Sequence, residues 1–167
     1  MKQTKTNARL FWAGYSPKNK NAHHHALRQI RHDLAIDFVA VSTLTLAHPN
    51  LKLVDEVAGV HDNLKRGRYP MEIVADLPQL RSADYRSVAV FEGEAMRMMD
   101  RLDVPRSAIR DSEVSTFDWR RRQFLAHTRY WLGYFDTRRI SHVVFTAIPH
   151  EVYDFIAYRC AEIRELE

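Results

Sequence analysis

The alternation of apolar and polar positions divides the chain into short β-branched runs and longer stretches of helical spacing. Residues 9–14 (RLFWAG) read as a first strand that ends at Gly14, and the loop 15–21, with Ser16-Pro17 and two asparagines, carries turn chemistry. From Ala22 the spacing of Ala26, Leu27, Ile30 and Leu34 predicts a helix. Residues 37–43 (DFVAVST) are short, β-branched and bounded by polar residues, the signature of a buried strand. Asn50 stands where it can cap a helix over Leu53, Val54, Val57, Val60 and Leu64. Residues 71–77, bracketed by Pro70 and Pro78, fit either a strand or a helix start.

The carboxyl-terminal half is more strongly patterned. Tyr85, Val88, Phe91, Ala95, Met98, Met99 and Leu102 fall on one helical face, which Pro105 terminates. The methionines there read as core filler. Ser115 followed by Asp118 resembles a capping box and opens a long helix to about Phe135, with Phe117, Phe124, Trp131 and Phe135 on its apolar face and Leu125 and Leu132 beside them. Residues 140–146 (ISHVVFT) form the clearest strand. The turn Ala147-Ile148-Pro149 then leads into a helix with Val152, Phe155, Ile156, Cys160 and Ile163 on one face, and Pro149 suits its first turn. Strand–helix–strand at the start and helix–strand–helix at the end predict a layered α/β domain with parallel strands flanked by helices, a mostly α domain being the alternative.

Composition narrows the class. The chain has 167 residues, 46% apolar and 28% charged, enough for one domain spanning 1–167. With 5 glycines and 6 prolines it is not a low-complexity chain. No apolar run approaches the roughly 18 residues of a membrane span. The amino terminus is basic but lacks an apolar signal core, so a cytoplasmic location is expected. The single cysteine, Cys160, excludes an internal disulfide framework and a cysteine-rich zinc site, and its place on an apolar face makes it a packing residue.

The net charge is +4, with 25 Lys and Arg against 21 Asp and Glu, and the basic residues cluster. Lys2, Lys5, Arg9, Lys18, Lys20, Arg28 and Arg31 face only Asp33 near the amino terminus. Arg120, Arg121, Arg122, Arg129, Arg138 and Arg139 face only Asp136 further on. Such clusters are either a solvated face or an attractor of phosphate, nucleotide-sugar or acidic glycan. A base-stacking platform would need aromatics exposed among these arginines, whereas Phe124, Trp131 and Phe135 have the periodicity of buried residues, which argues against nucleic acid.

The most informative chemistry lies in Thr146-Ala147-Ile148-Pro149-His150-Glu151. In open α/β sheets ligands sit outside the carboxyl ends of the strands, where helix amino termini also point. His150 would stand there with Glu151 beside it. Asp154, at i, i+4, can face the imidazole, fix its tautomer and leave the other nitrogen for a substrate hydroxyl. The bland reading is a helix start whose acidic residues favour the dipole. His23-His24-His25 invites a metal, but consecutive helical residues fan apart by about 100° and cannot converge on one ion. His24 and His25 instead suit the mouth of the first strand–helix loop, near Lys18. No metal or cofactor is expected, and neither GxGxxG nor GxxxxGK is present.

Four pieces carry a resemblance: MRMMDRL at 96–102, WRRRQFLAHTRYWLGYF at 119–135, the strand HVVFT, and IPHEVYDFIAYRCAEI at 148–163. Together they resemble the amino-terminal domain of surface (capsular) polysaccharide biosynthesis proteins of glycosyltransferase type. In that family a Pro-His pair after a strand precedes an acidic or tyrosine-bearing helix, matched here by Pro149, His150, Asp154 and Tyr158. The resemblance implies a Rossmann-like, acceptor-side half whose ligand is a glycan or lipid-linked acceptor, at the inner face of the membrane. A second half would hold the nucleotide-sugar. The 167 residues leave no length for that half, so this chain alone is expected not to turn over. On this reading His150 and Asp154 carry catalysis, and Glu151, Arg120, Arg121, Arg122, Lys18, His24 and His25 contact substrate. A polyanion-binding module and a protein-interaction domain are the alternatives.

Overall fold

The computed structural model describes residues 7–13, 22, 25–26, 28–30, 34–41, 53–54, 80–101, 117–149 and 152–167. Four strands, β1 (Asn7–Ala13), β2 (Ala35–Val41), β3 (Leu53–Val54) and β4 (His142–Phe145), form one sheet in the order β3-β2-β1-β4. Every pair is parallel, so all four carboxyl ends lie on one side. Three helices follow the patterned half: α1 (Ser82–Arg101), α2 (Phe117–Arg138) and α3 (Val152–Ile163). The architecture is mixed α/β, with helix the larger share of the described residues.

β1 shows why the sheet is parallel and central. It is buried on both faces, as a strand paired on either side and covered by other elements should be. Phe11 and Ala13 join the core formed with the three helices, and Ala8, Leu10 and Trp12, on the opposite face, are buried too. Phe11 packs against Trp131, Tyr134 and Phe135 of α2, with ring centroids 5.1, 6.0 and 5.8 Å away. Such aromatic pairs add about 0.5–1.5 kcal/mol each beyond the area they bury. Phe91 ties the helices together, meeting Phe124 at 5.3 Å and Phe155 at 6.2 Å in edge-on contacts.

Helix ends are set by local hydrogen bonding. At the start of α1 the Asp84 carboxylate accepts the Arg81 backbone N–H at 3.0 Å, which is one arm of a capping box. α2 ends in a Schellman motif: Arg139 N–H donates to the Asp136 carbonyl at 3.2 Å, Ile140 N–H donates to the Phe135 carbonyl at 3.0 Å, and Arg139 adopts φ 52°. Ile140 is buried as the hydrophobic residue that follows such a cap.

Several expectations from the sequence are corrected. β1 and β2 begin two residues earlier than the apolar runs indicate, because polar Asn7 and the Ala35-Ile36 pair already share ladder bonds. Register shifts between Ala8 and Arg9, where β2 carries Asp37 as an extra residue. Leu53 and Val54 are not helical but pair with Val39 and Ala40, the sheet edge outweighing the helical spacing. Tyr85 and Phe117 do not belong to the apolar faces assigned to them: they are 54% and 59% exposed. Tyr85 lies off the Val88–Phe91–Ala95–Met99 stripe, and Phe117 is the first residue of α2, ahead of the packed turns. The capping serine at 115 and the segment 71–77 lie outside the described residues.

Candidate functional site

The parallel sheet reverses its direction of growth at β1. The chain builds outward from β1 to β2 and β3, then returns to the other side of β1 as β4. In open parallel sheets such a reversal, here at the carboxyl ends of β1 and β4, is where a ligand site is looked for.

A polar latch closes the sheet at this point. Thr146, the residue after β4, accepts the Trp12 indole N–H at 2.8 Å and donates its hydroxyl to the Ala13 carbonyl at 3.1 Å. Its backbone N–H donates to the same carbonyl at 3.1 Å. Trp12 is buried, so the Thr146 hydroxyl supplies an acceptor to an indole N–H withdrawn from water. Beyond the latch the chain is open to solvent: Ala147 is exposed, Ile148 is 86% exposed, and Pro149 is half-buried.

Both α2 and α3 begin on this side. At the opposite end the Arg9 side chain donates from Nε to the Arg138 carbonyl at 2.6 Å, which places the end of α2 beside the start of β1. Phe124, about two turns into α2, and Phe155, in the first turn of α3, meet the same ring, Phe91, so the start of α3 stands level with that part of α2. The fold thus brings Arg120 and Arg122 of α2 and Asp154 of α3 to the end of the molecule where β1 and β4 terminate. Arg120 and Asp154 are half-buried and Arg122 is exposed. Arg121 is spent locally, its Nε 2.8 Å from Glu92 of α1, which removes one charge from the basic cluster. Phe124, Trp131 and Phe135 are buried and cannot stack bases, whereas Phe117, three residues before Arg120, is exposed.

His150, Glu151, Lys18 and His24 lie outside the described residues. His25 is helical and exposed. Among the described residues no group of three His, Cys, Asp or Glu side chains is placed to hold a metal ion. No described helix is long and apolar enough to cross a membrane. Cys160 is completely buried, and burial pushes its thiol far above the ordinary range, against the weaker opposing pull of Arg164. It is a packing residue of the core.

Sequence reasoning missed the Trp12–Thr146 latch. The available signal was a threonine directly after a β-branched strand and an indole ending another, but pairing them requires knowing that β1 and β4 are neighbours. The opposite end holds a second polar cluster of a different kind. Arg164 Nη1 lies 2.7 Å from Asp84 and its Nε 2.7 Å from Asp136, joining the ends of α1, α2 and α3. Burial opposes the charge on Asp84, yet hydrogen bonds from Arg164 and Arg81 outweigh it and hold the carboxyl down at about 2. Everything in that cluster is internally paired, so it fastens helices rather than awaiting a ligand.

Comparison with family models, with curated proteins and with solved structures finds no match to this chain.

Proposed function

We propose that this chain is a Rossmann-like, acceptor-side domain of a glycosyltransferase-like protein of surface polysaccharide biosynthesis, working in the cytoplasm at the inner face of the membrane. The observation that supports it most directly is the reversal of strand order at β1, the kind of switch point beside which open parallel sheets bind ligands. The segment that follows β4 is the one whose sequence, IPHEVYDF, resembles the family. In this reading His150 takes the proton of an acceptor hydroxyl, and Asp154 positions its ring. Arg120, Arg122 and Lys18 draw in an acidic glycan or a phosphate-bearing lipid-linked acceptor, with Arg121, Glu151, His24 and His25 at the rim. A second domain would bring the nucleotide-sugar. Without it no cleft closes over the reacting atoms, so the isolated chain binds acceptor without transferring sugar.

The test is an assay of sugar-nucleotide hydrolysis and transfer on the purified chain, with His150→Ala alongside. No transfer is expected from either protein. Robust transfer by the parent, lost in the variant, would overturn the half-enzyme reading while supporting the site. Salt-sensitive binding of DNA or RNA near micromolar affinity, unchanged in His150→Ala, would instead favour a polyanion-binding module.

A further inference from the structure

Polar atoms that folding withdraws from water are nearly always given a partner, because an unpaired buried acceptor keeps its full desolvation cost. On α2 the Gln123 carboxamide oxygen and the Trp131 indole N–H are shut off from solvent, and among the described residues neither has a hydrogen-bond partner. Trp131 is enclosed: it is 1% exposed, with the rings of Phe11, Tyr130 and Tyr134 centred 5.1, 5.1 and 6.1 Å away. Gln123 is different. Its oxygen is covered, yet the residue as a whole is only half-buried.

Helix geometry places that oxygen past the end of a strand. Gln123 and Tyr134 are separated by three turns of α2 and so share one side of the helix. Tyr134 rests on Phe11 of β1, with rings 6.0 Å apart, so this is the side that faces the sheet. α2 runs antiparallel to β1, since its end lies beside Arg9. Three turns carry α2 about 16 Å towards its start. After Phe11, β1 continues only to Ala13, about 7 Å further. Gln123 therefore stands beyond the carboxyl end of β1, where the reversal of strand order falls. Arg120, one turn earlier, lies on the same side of the helix.

We propose that the Gln123 carboxamide oxygen is the specificity-determining contact of the acceptor site, taking a hydrogen bond from a sugar hydroxyl of the acceptor. The surrounding charge selects a neutral donor. Arg120 and Arg122 repel an ammonium group while drawing in a carboxylate or phosphate, and an ionised acid has no proton to offer an amide oxygen. A hydroxyl carried beside the acidic group meets both requirements. Because the oxygen is already desolvated in the free protein, an acceptor that lacks the hydroxyl leaves it unpaired and is rejected, which is the strongest form of discrimination a polar contact gives. The inference rests on the acceptor-site reading and names the part of the ligand that this residue reads.

The test compares the full chain with Gln123→Met, which keeps the length of the side chain and removes the oxygen. In urea unfolding without ligand, the variant should be as stable as the parent or more so, because a buried polar atom is removed and no partner is lost. A lower unfolding midpoint would overturn the proposal, since the oxygen would then be paired within the fold. In NMR titrations a uronic-acid oligosaccharide should bind Gln123→Met about tenfold more weakly than the parent. Long-chain inorganic polyphosphate, which offers charge without sugar hydroxyls, should bind the two proteins alike. An equal loss for polyphosphate would overturn the proposal. Equal affinity of parent and variant for the oligosaccharide would overturn it and leave the acceptor-site reading standing, whereas no binding of the oligosaccharide by the parent would overturn both.

Discussion

His127 offers a sharp test of how α2 is packed. It is 3% exposed on the half of the helix that is buried nearly all round, and burial holds its imidazole neutral, pushing its pKa from 6.5 down to about 3. Above pH 6.5 neither the folded nor the unfolded chain charges this ring, so its protonation does not affect stability. Between 6.5 and about 3 the unfolded chain takes up a proton that the folded chain refuses, and stability falls by about 1.4 kcal/mol per pH unit. At pH 5 the loss amounts to about 2 kcal/mol, a large part of a typical domain's margin. The assay is urea unfolding of the parent and of His127→Gln at pH 7.5, 6 and 5. Every other group is common to the two proteins, so the comparison isolates position 127. The parent should lose about 2 kcal/mol more than the variant between pH 7.5 and 5. Parallel pH profiles, or an NMR titration of the His127 ring near 6.5, would refute the placement of this residue in the core.

Asp84→Asn leaves Arg164 with an incomplete set of partners in a half-buried site and should cost about 3–5 kcal/mol in urea unfolding at neutral pH. The same Asp84 carboxylate contributes stability that is full above its ordinary 3.8 and lost as pH falls towards about 2, so the parent but not Asp84→Asn should show that acid limb in unfolding titrations. Thr146→Val removes the acceptor of the buried Trp12 indole and should cost about 1–3 kcal/mol, with an altered Trp12 indole N–H resonance reporting the lost latch. Arg139→Gly relieves a left-handed backbone at the end of α2 and should raise stability by about 1 kcal/mol in the same unfolding assay.

What the sequence disclosed follows from which interactions are local. The long periodic stretches of α1, α2 and α3 were legible because their buried positions recur every third or fourth residue, as at Val88, Phe91, Ala95 and Met99. β4 was legible because its β-branched run is bounded by Ile140 and a turn. β3 was not: two residues at 53–54 gain their strand conformation from the edge of β2, and nothing within the segment itself contradicts a helix. Tyr85 illustrates another limit, since a helical wheel gives the centre of an apolar face but not where the neighbouring helix stops covering it. The position of the candidate site was legible in part. The turn after β4 was identified from Pro149 and the strand before it, whereas the pairing of β1 with β4 depends on contacts more than 130 positions apart in the chain. The Arg164 cluster was invisible for the same reason, Asp84 and Arg164 being 80 positions apart.

The central claim is that a polyanionic or phosphate-bearing acceptor binds at the carboxyl ends of β1 and β4, against the turn that carries His150. Titration of the isotope-labelled chain with a uronic-acid oligosaccharide, followed by amide chemical-shift mapping, tests it directly. The account predicts shifts that concentrate at Thr146, Ile148, Asp154, Arg120 and Arg122, weaken in His150→Ala, and leave Asp84, Arg164 and Glu167 at the opposite end unmoved. Shifts confined to that opposite end, or the same response in His150→Ala as in the parent, would contradict it.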